Sequence, residues 1–316
     1  MRNAIGQTKN KEIVGHVGIG FKDATHVDTV DKKVHDGDTV TVRALGNFGV
    51  RFLQMDAPEV SCQLKGKGFP RIENQTWIDY LTDPSQGDQK YKDKFSPGLL
   101  ANLEARFGPQ AALNHKKHAD KAREELARII QDDLTTHNLT EDKFEFTMLF
   151  MWEVMDRYGR LLGYISRKKL KDDAAEPESY NDRLLKSGKV LPYMIWPNEK
   201  LMTNASTVSK AVIPKGKAND YAEKNPRIKS IRAAVKQARQ DGEGLFETGD
   251  PLLIEPFEIR YLGRKGTPDR WVIDLSKNDT TLIDPQNYYD LLPEDRLFID
   301  QEYVPLFESK GWSKWK

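Results

Sequence analysis

The sequence predicts an α+β fold, a small closed antiparallel β-barrel with about three helices and a small β-containing piece at the C-terminal end. Three observations predict it. Alternating, β-branched-rich runs separated by turn residues crowd the stretch before residue 60, the same pattern returns near residues 144–165, and one long helical stripe lies between the two strand groups. Strands first, then helices, is the order of an α+β domain, and short antiparallel strands satisfy their edges by closing on themselves.

Taken in order, residues 1–26 are glycine-rich and weakly patterned, an N-terminal arm. Runs His26–Val34 and Thr39–Leu45 flank His-Asp-Gly-Asp, and a Gly-Asn turn leads to a third run, Gly49–Met55. The three are expected to form an antiparallel meander. Alternation in the second run puts Asp38, Val40 and Val42 on one face, so an acid begins the apolar side. Residues 60–106 carry Gly66, Gly68, Pro70, Pro84, Gly87 and Pro97 without a steady period, which predicts a long insertion with one short helix near Asn74–Leu81.

Ala112, Ala119, Ala122, Leu126 and Ile129 then recur at helical spacing, and Pro109 suits a first turn, where its missing N–H costs nothing. His115 and His118 lie on this helix beside Lys116 and Lys117 and read as a solvated basic face. Phe144–Met155 and Leu161–Ile165 read as strands around the turn Asp156-Arg157-Tyr158-Gly159-Arg160. A helix over Ser179–Lys186 stops before Gly188, and Asn225-Pro226 opens another with Ile228, Ile231, Val235 and Ala238 inward and Gly242 at its end. Beyond it, Pro251-Leu-Leu-Ile, Phe257-Glu-Ile-Arg-Tyr-Leu and Trp271-Val-Ile-Asp-Leu read as a small β unit.

Composition excludes several classes. No run approaches the roughly 20 apolar residues of a membrane helix, and the N-terminus lacks the apolar core of a secretory signal, which leaves a cytoplasmic or a trimmed secreted form. One cysteine, Cys62, forms no internal disulfide and reads as an incidental thiol. The net charge of +1 hides an asymmetry: residues 241–316 carry 9 Lys/Arg against 16 Asp/Glu, a net of −7, so the rest is near +8. A basic body attracts polyanions. No P-loop, dinucleotide fingerprint, HExxH helix or internal repeat is present.

Three segments bring together what phosphodiester hydrolysis needs. They are Asp36-Gly37-Asp38-Thr39, Arg51-Phe52-Leu53-Gln54-Met55-Asp56-Ala57-Pro58-Glu59, and Asp156-Arg157-Tyr158-Gly159-Arg160. The anionic ester repels an incoming hydroxide, so a cation, a base and phosphate-gripping donors are all required. Asp38 and Asp56, each at a strand end, are hard oxygen donors of the kind Ca²⁺ takes. Asp56 alternates away from Arg51, so both reach one site only if the chain turns there, for which Pro58 is the candidate.

Together with FGPQA, LLGYI, LLKSGKV, YMIWPN and AVKQARQDGEGLF, these motifs run in order over roughly residues 27–247 and resemble the staphylococcal nuclease (thermonuclease) family. The resemblance implies an oligonucleotide-binding barrel (OB-fold) with three helices and a calcium-dependent endonuclease for DNA or RNA that leaves 3′-phosphate ends. It implies Asp38 and Asp56 as calcium carboxylates, Ala57 as a carbonyl ligand and Asp36 as an acid behind them. By the same resemblance Glu59 is the general base, Arg51 and Arg160 grip the scissile phosphate, and Arg157, Tyr158 and Tyr193 contact the nucleotide. Ile195 stands where the family has a second tyrosine, the insertion follows Glu59, and residues 248–316 have no counterpart. That acidic extension is expected to be an ordered appendage outside the active site, serving stability, a protein partner or restricted entry. The alternative function is a non-catalytic nucleic-acid- or protein-binding module, against which stand five intact groups, Asp38, Asp56, Glu59, Arg51 and Arg160.

Overall fold

The computed structural model describes residues 3–7, 13–19, 34–36, 39–40, 42–198 and 207–315. Most of the first expected strand, residues 26–33, lies outside the described residues, as do Gly37 and Asp38. The chain divides into two compact units, one of Met1–Phe52 with Glu153–Gly163, the other of Leu53–Trp152 with Tyr164–Lys316.

The first unit holds β1 (Ile5–Gln7), β2 (Ile13–Gly15), β3 (Val17–Ile19), β4 (Val34–Asp36), β5 (Thr39–Val40), β6 (Val42–Ala44) and β7 (Val50–Phe52). β1 pairs antiparallel with β2, β3 with β6, and β4 with β5. The first hairpin is where Asp-Gly marks it, but the meander is not. β7 pairs in parallel with Leu161–Gly163, Arg51 lying opposite Leu162, while β6 takes β3 as its partner. The reason lies in the link between them: Asn47 bridges to Asn3 and its carbonyl accepts from Ala4 N–H at 2.8 Å, so the Gly-Asn bend is tied to the N-terminal residues instead of closing a hairpin between β6 and β7.

The second unit begins with β8 (Met55–Asp56), and the stretch expected to hold one helix forms three: α1 (Gln75–Thr82), α2 (Gln89–Lys92) and α3 (Pro97–Glu104). Ser96 caps α3 by accepting from Leu99 N–H, with Pro97 at its first position, a start signal that the scattered glycines and prolines obscured. The long helix α4 (Ala111–Thr136) follows, its alanines 112, 119 and 122 and Ile129 buried as the stripe predicts. His115 and His118 are buried too, which corrects their reading as a solvated face.

The expected strand at 144–155 shortens to β9 (Phe146–Leu149), antiparallel to β10 (Leu161–Arg167), whose first three residues belong to the first unit. α5 (Tyr180–Lys186) is capped by Ser179 and ends before Gly188, where a φ of +65° and the Glu243 carbonyl beside the α-carbon leave no room for a side chain. β11 (Leu191–Pro192) pairs antiparallel with β8, and β12 (Met194–Trp196) follows directly. Two short helices, α6 (Val208–Ala211) and α7 (Ala218–Lys224), precede α8 (Pro226–Asp241), which Asn225 caps and Gly242 ends as its sequence predicts, with Ile228, Ile231, Val235 and Ala238 buried.

The remaining chain is α9 (Pro256–Gly263), β13 (Trp271–Asp274), β14 (Thr281–Ile283), β15 (Arg296–Ile299), α10 (Val304–Ser309) and β16 (Ser313–Trp315). Phe257–Leu262, expected as a strand, is α9. Pro256 sits at its first position, the Glu258 carboxylate accepts from the Glu255 N–H at 2.6 Å, and the helix is buried nearly all round, a pattern that alternation mimics. β12 joins the five-stranded sheet β12-β15-β13-β14-β16 through a parallel ladder to β15.

Residues 248–316 are therefore no separate appendage. Trp77, Tyr80, Leu81, Leu99 and Leu103 of the insertion share one apolar core with Phe257, Ile259, Leu262, Val272, Tyr288 and Phe298. Within it Arg106 forks onto the fully buried Glu258, at 2.7 and 2.8 Å. Ending the chain after Glu247 would strip β12 of its sheet and expose half of this core. Such a shortened chain is expected to show no cooperative thermal transition by circular dichroism, and a sharp melt would refute this account of the core.

Candidate active site

Within the first unit, the turn after residue 155 is organised by Asp156. One carboxylate oxygen accepts from the backbone N–H groups of Tyr158 and Arg160, at 2.9 and 3.0 Å, and the other takes Nε and Nη2 of Arg160 at 2.8 and 2.7 Å. Gly159 completes the turn at φ +79°. The result places both Arg157 and Arg160 against the exposed ring of Tyr158, their guanidinium carbons 5.0 and 5.5 Å from its centroid, and Arg157 donates to the Tyr158 hydroxyl at 2.9 Å. Two cations and a hydroxyl thus project from one turn, a grouping suited to phosphate oxygens. Arg51 lies on β7, the strand that pairs with the residues just after Arg160. Asp36 lies at the end of β4.

In the second unit, the chain turns at Leu53–Gln54 and not at Pro58. Gln54 adopts φ +63°, a conformation rare for a side-chain-bearing residue, and its buried amide has no hydrogen-bond partner among the described residues. Asp56 follows, on β8 opposite Leu191, and is only 4% exposed. Arg260 of α9 meets it with both terminal nitrogens, Nη1 to Oδ1 at 2.8 Å and Nη2 to Oδ2 at 2.6 Å. The same Nη1 donates to Oε1 of Glu59 at 2.8 Å. Burial is the strongest single influence and works against the Arg260 charge, but Asp56, with Tyr193 and Glu59 behind it, outweighs burial and holds the guanidinium more basic than usual. Breaking a buried pair of this kind by removing one partner typically costs about 3–5 kcal/mol.

Glu59 is held from the other side by His115. Its backbone N–H donates to Nε2 of that imidazole at 2.8 Å, so the ring proton must sit on Nδ1, which donates to the Ile254 carbonyl at 2.9 Å. Both bonds require the neutral ring. Burial accordingly pushes the His115 pKa down to about 4. Cys62, nearby in sequence, has its thiol pushed up to about 11 by burial and by the Glu59 charge, which leaves it protonated and unreactive.

Tyr193 is brought beside this group, its N–H donating to the Gln54 carbonyl at 3.0 Å, but it presents no face for a nucleotide. Its ring is 7% exposed, stacked on Phe257 and tilted against Phe298, and its hydroxyl takes a bond from Arg270 at 2.6 Å. The Arg260 and Arg270 guanidinium carbons each lie 5.6 Å from its centroid. The tyrosine expected to touch substrate supports the arginines instead.

The structure thus gathers Asp56, Ala57 and Glu59 on one short stretch in the second unit and Arg157, Tyr158 and Arg160 on one turn in the first. Sequence reasoning missed Arg260 and the role of His115. For His115 a signal existed: it falls three after Ala112 and four before Ala119, inside the very stripe that predicted the helix. Arg260 had none, because nothing local marks an arginine whose partners lie about 200 residues away.

Comparison with known proteins supplies one relationship. Over 284 residues, 89% of this chain, it is 25% identical to a protein of Bacillus subtilis (strain 168). That relative is named Endonuclease YhcR. The matched stretch is 16% of its length, so the chain spans about a sixth of it. No family model and no solved structure matches the chain.

The neutral His115 gives a pH dependence with a definite sign. Its folded pKa, about 4, lies below the ordinary 6.5, so the unfolded chain binds the extra proton between those values. The stability tied to the neutral ring is complete above pH 6.5 and lost as pH falls toward 4, a total of about 3 kcal/mol at 1.36 kcal/mol per pKa unit. In urea titrations, the stability advantage of wild type over His115→Gln should shrink by that order between pH 7 and pH 4. A constant advantage across the range would rule out the neutral ring.

Proposed function

We propose that this chain is an endonuclease that hydrolyses phosphodiester bonds in DNA or RNA. What carries the reading is the pairing of Glu59 with Asp56 on one guanidinium, in a chain whose ordered motifs also supply Arg51 and Arg160. The name of the Bacillus subtilis relative supports it. The oligonucleotide-binding barrel implied by the motif order belongs to the same proposal.

In this reading Glu59 takes the proton of a water molecule, the resulting hydroxide oxygen bonds to phosphorus, and the bond from phosphorus to the 5′-oxygen breaks, the 5′-oxygen taking a proton from solvent to leave as a hydroxyl and the other fragment ending in a 3′-phosphate. Arg51 and Arg160 donate to the phosphate oxygens as charge builds on them. Arg157 and Tyr158 take a terminal phosphate. Arg260 donates to one oxygen of Glu59 and so fixes its carboxylate in place.

The calcium expectation is part of the proposal and rests on the sequence. Among the described residues no group of three or more His, Cys, Asp or Glu is placed to hold a metal ion, and both oxygens of Asp56 accept from Arg260. By themselves these donors do not fit a cation that takes six to eight oxygens. Asp38, the second expected carboxylate, lies outside the described residues. No described helix is long and apolar enough to cross a membrane.

Two measurements test the reading. On single- and double-stranded nucleic acid, Glu59→Gln should lower kcat by about 10²–10⁴-fold with its fold intact, since the amide oxygen still accepts from Arg260. Arg160→Ala should lose a comparable factor through the lost phosphate contact. Near wild-type rates in both variants would favour the binding-module alternative. Separately, cleavage should vanish in excess chelator and return with Ca²⁺ more fully than with Mg²⁺, which demands a stricter octahedron; undiminished cleavage in chelator removes the metal from the proposal.

A further inference from the structure

Arg260 is built into the protein more firmly than a surface ion pair requires. Its helix carries Glu258, which is fully buried and forked by Arg106, and Phe257, which stacks on Tyr193. Tyr193 in turn lies under the Arg260 guanidinium and is fixed at its hydroxyl by Arg270, whose Nε donates to Asp300 at 2.6 Å. The guanidinium is therefore constrained from beneath before it meets either carboxylate.

Its planar fork then fixes two acceptors at once. Asp56 takes both terminal nitrogens, and Glu59, three residues on, shares Nη1 with it. Two carboxylates of like charge thus meet on one donor, and Glu59 is the more exposed of the two. His115 secures the Glu59 backbone, and Arg260 holds one oxygen of its carboxylate.

Building on the endonuclease reading, we propose that Arg260 is a positioning residue of the active site, holding Glu59 in line for proton removal, so that the C-terminal segment is part of the catalytic apparatus. It touches neither water nor phosphate in this role. A lysine at this place keeps the positive charge but cannot bind both carboxylates through one rigid plane, so charge alone does not reproduce the effect.

The test measures kcat, KM and thermal stability together for wild type, Arg260→Gln, Arg260→Lys, Glu59→Gln and Arg232→Gln. The last removes an ion pair to Asp295 that lies on another helix and serves as the purely structural comparison. Displacing a catalytic group by an ångström can cost about 10²-fold in rate. Both Arg260 variants should lose kcat on that order with KM changed less than about threefold, whereas Arg232→Gln should lose stability and keep kcat. If Arg260→Gln does not fold, Arg260→Lys carries the comparison. Arg260 variants with wild-type kcat, beside an inactive Glu59→Gln, would overturn this inference and leave the endonuclease reading standing. So would a rate loss that follows melting temperature alike in the Arg260 and Arg232 variants. A wild-type protein that cleaves no nucleic acid would overturn both readings together.

Discussion

The apolar core shared by the insertion and the C-terminal segment is the constraint on which the second unit depends. Trp77, Tyr80 and Leu81 on α1 and Leu99 and Leu103 on α3 are covered by α9 and by the sheet strands that carry Val272 and Phe298. Because the hydrophobic effect is proportional to area removed from water, the two segments stabilise each other and not the rest of the chain separately. The placement of α9 follows from this packing, and with it the placement of Arg260.

Charge is arranged on the same plan. The acidic balance of the C-terminal residues is met internally: Asp295 accepts from Arg232 and Glu294 from Arg239, both arginines lying on the outer face of α8. Nη1 of Arg296 donates to both carboxylate oxygens of Glu255. An excess of acid that reads as a repulsive or partner-binding surface in the sequence is largely spoken for by cations of the same unit.

The groups expected to do chemistry are each held by several bonds that leave them little freedom. Asp156 fixes Arg160 through its backbone and its side chain, and Glu59 is tied at its N–H by a neutral imidazole and at its carboxylate by a buried guanidinium. Such preorganisation means that little rearrangement entropy remains to be lost when substrate arrives. Gln54 is the exception, a buried amide without a hydrogen-bond partner among the described residues, in a strained conformation two residues before Asp56. Strain of that sort persists only where surrounding packing over-determines it.

What the sequence determined by itself was local. The cap Asn225, the stop at Gly242, the stripe of α4 and the Asp156 turn depend on residues within a turn or two of each other, so their signals are short and legible. Only tertiary structure decided the rest: that β7 pairs with the strand at residue 161, that Phe257–Leu262 is a helix, that His115 faces Glu59, that Tyr193 is enclosed, and that Arg260 closes on Asp56. Each of these depends on groups far apart in the chain, where alternation and helical periodicity carry no information. The contact is chosen by the surface that must be buried and the charge that must be paired.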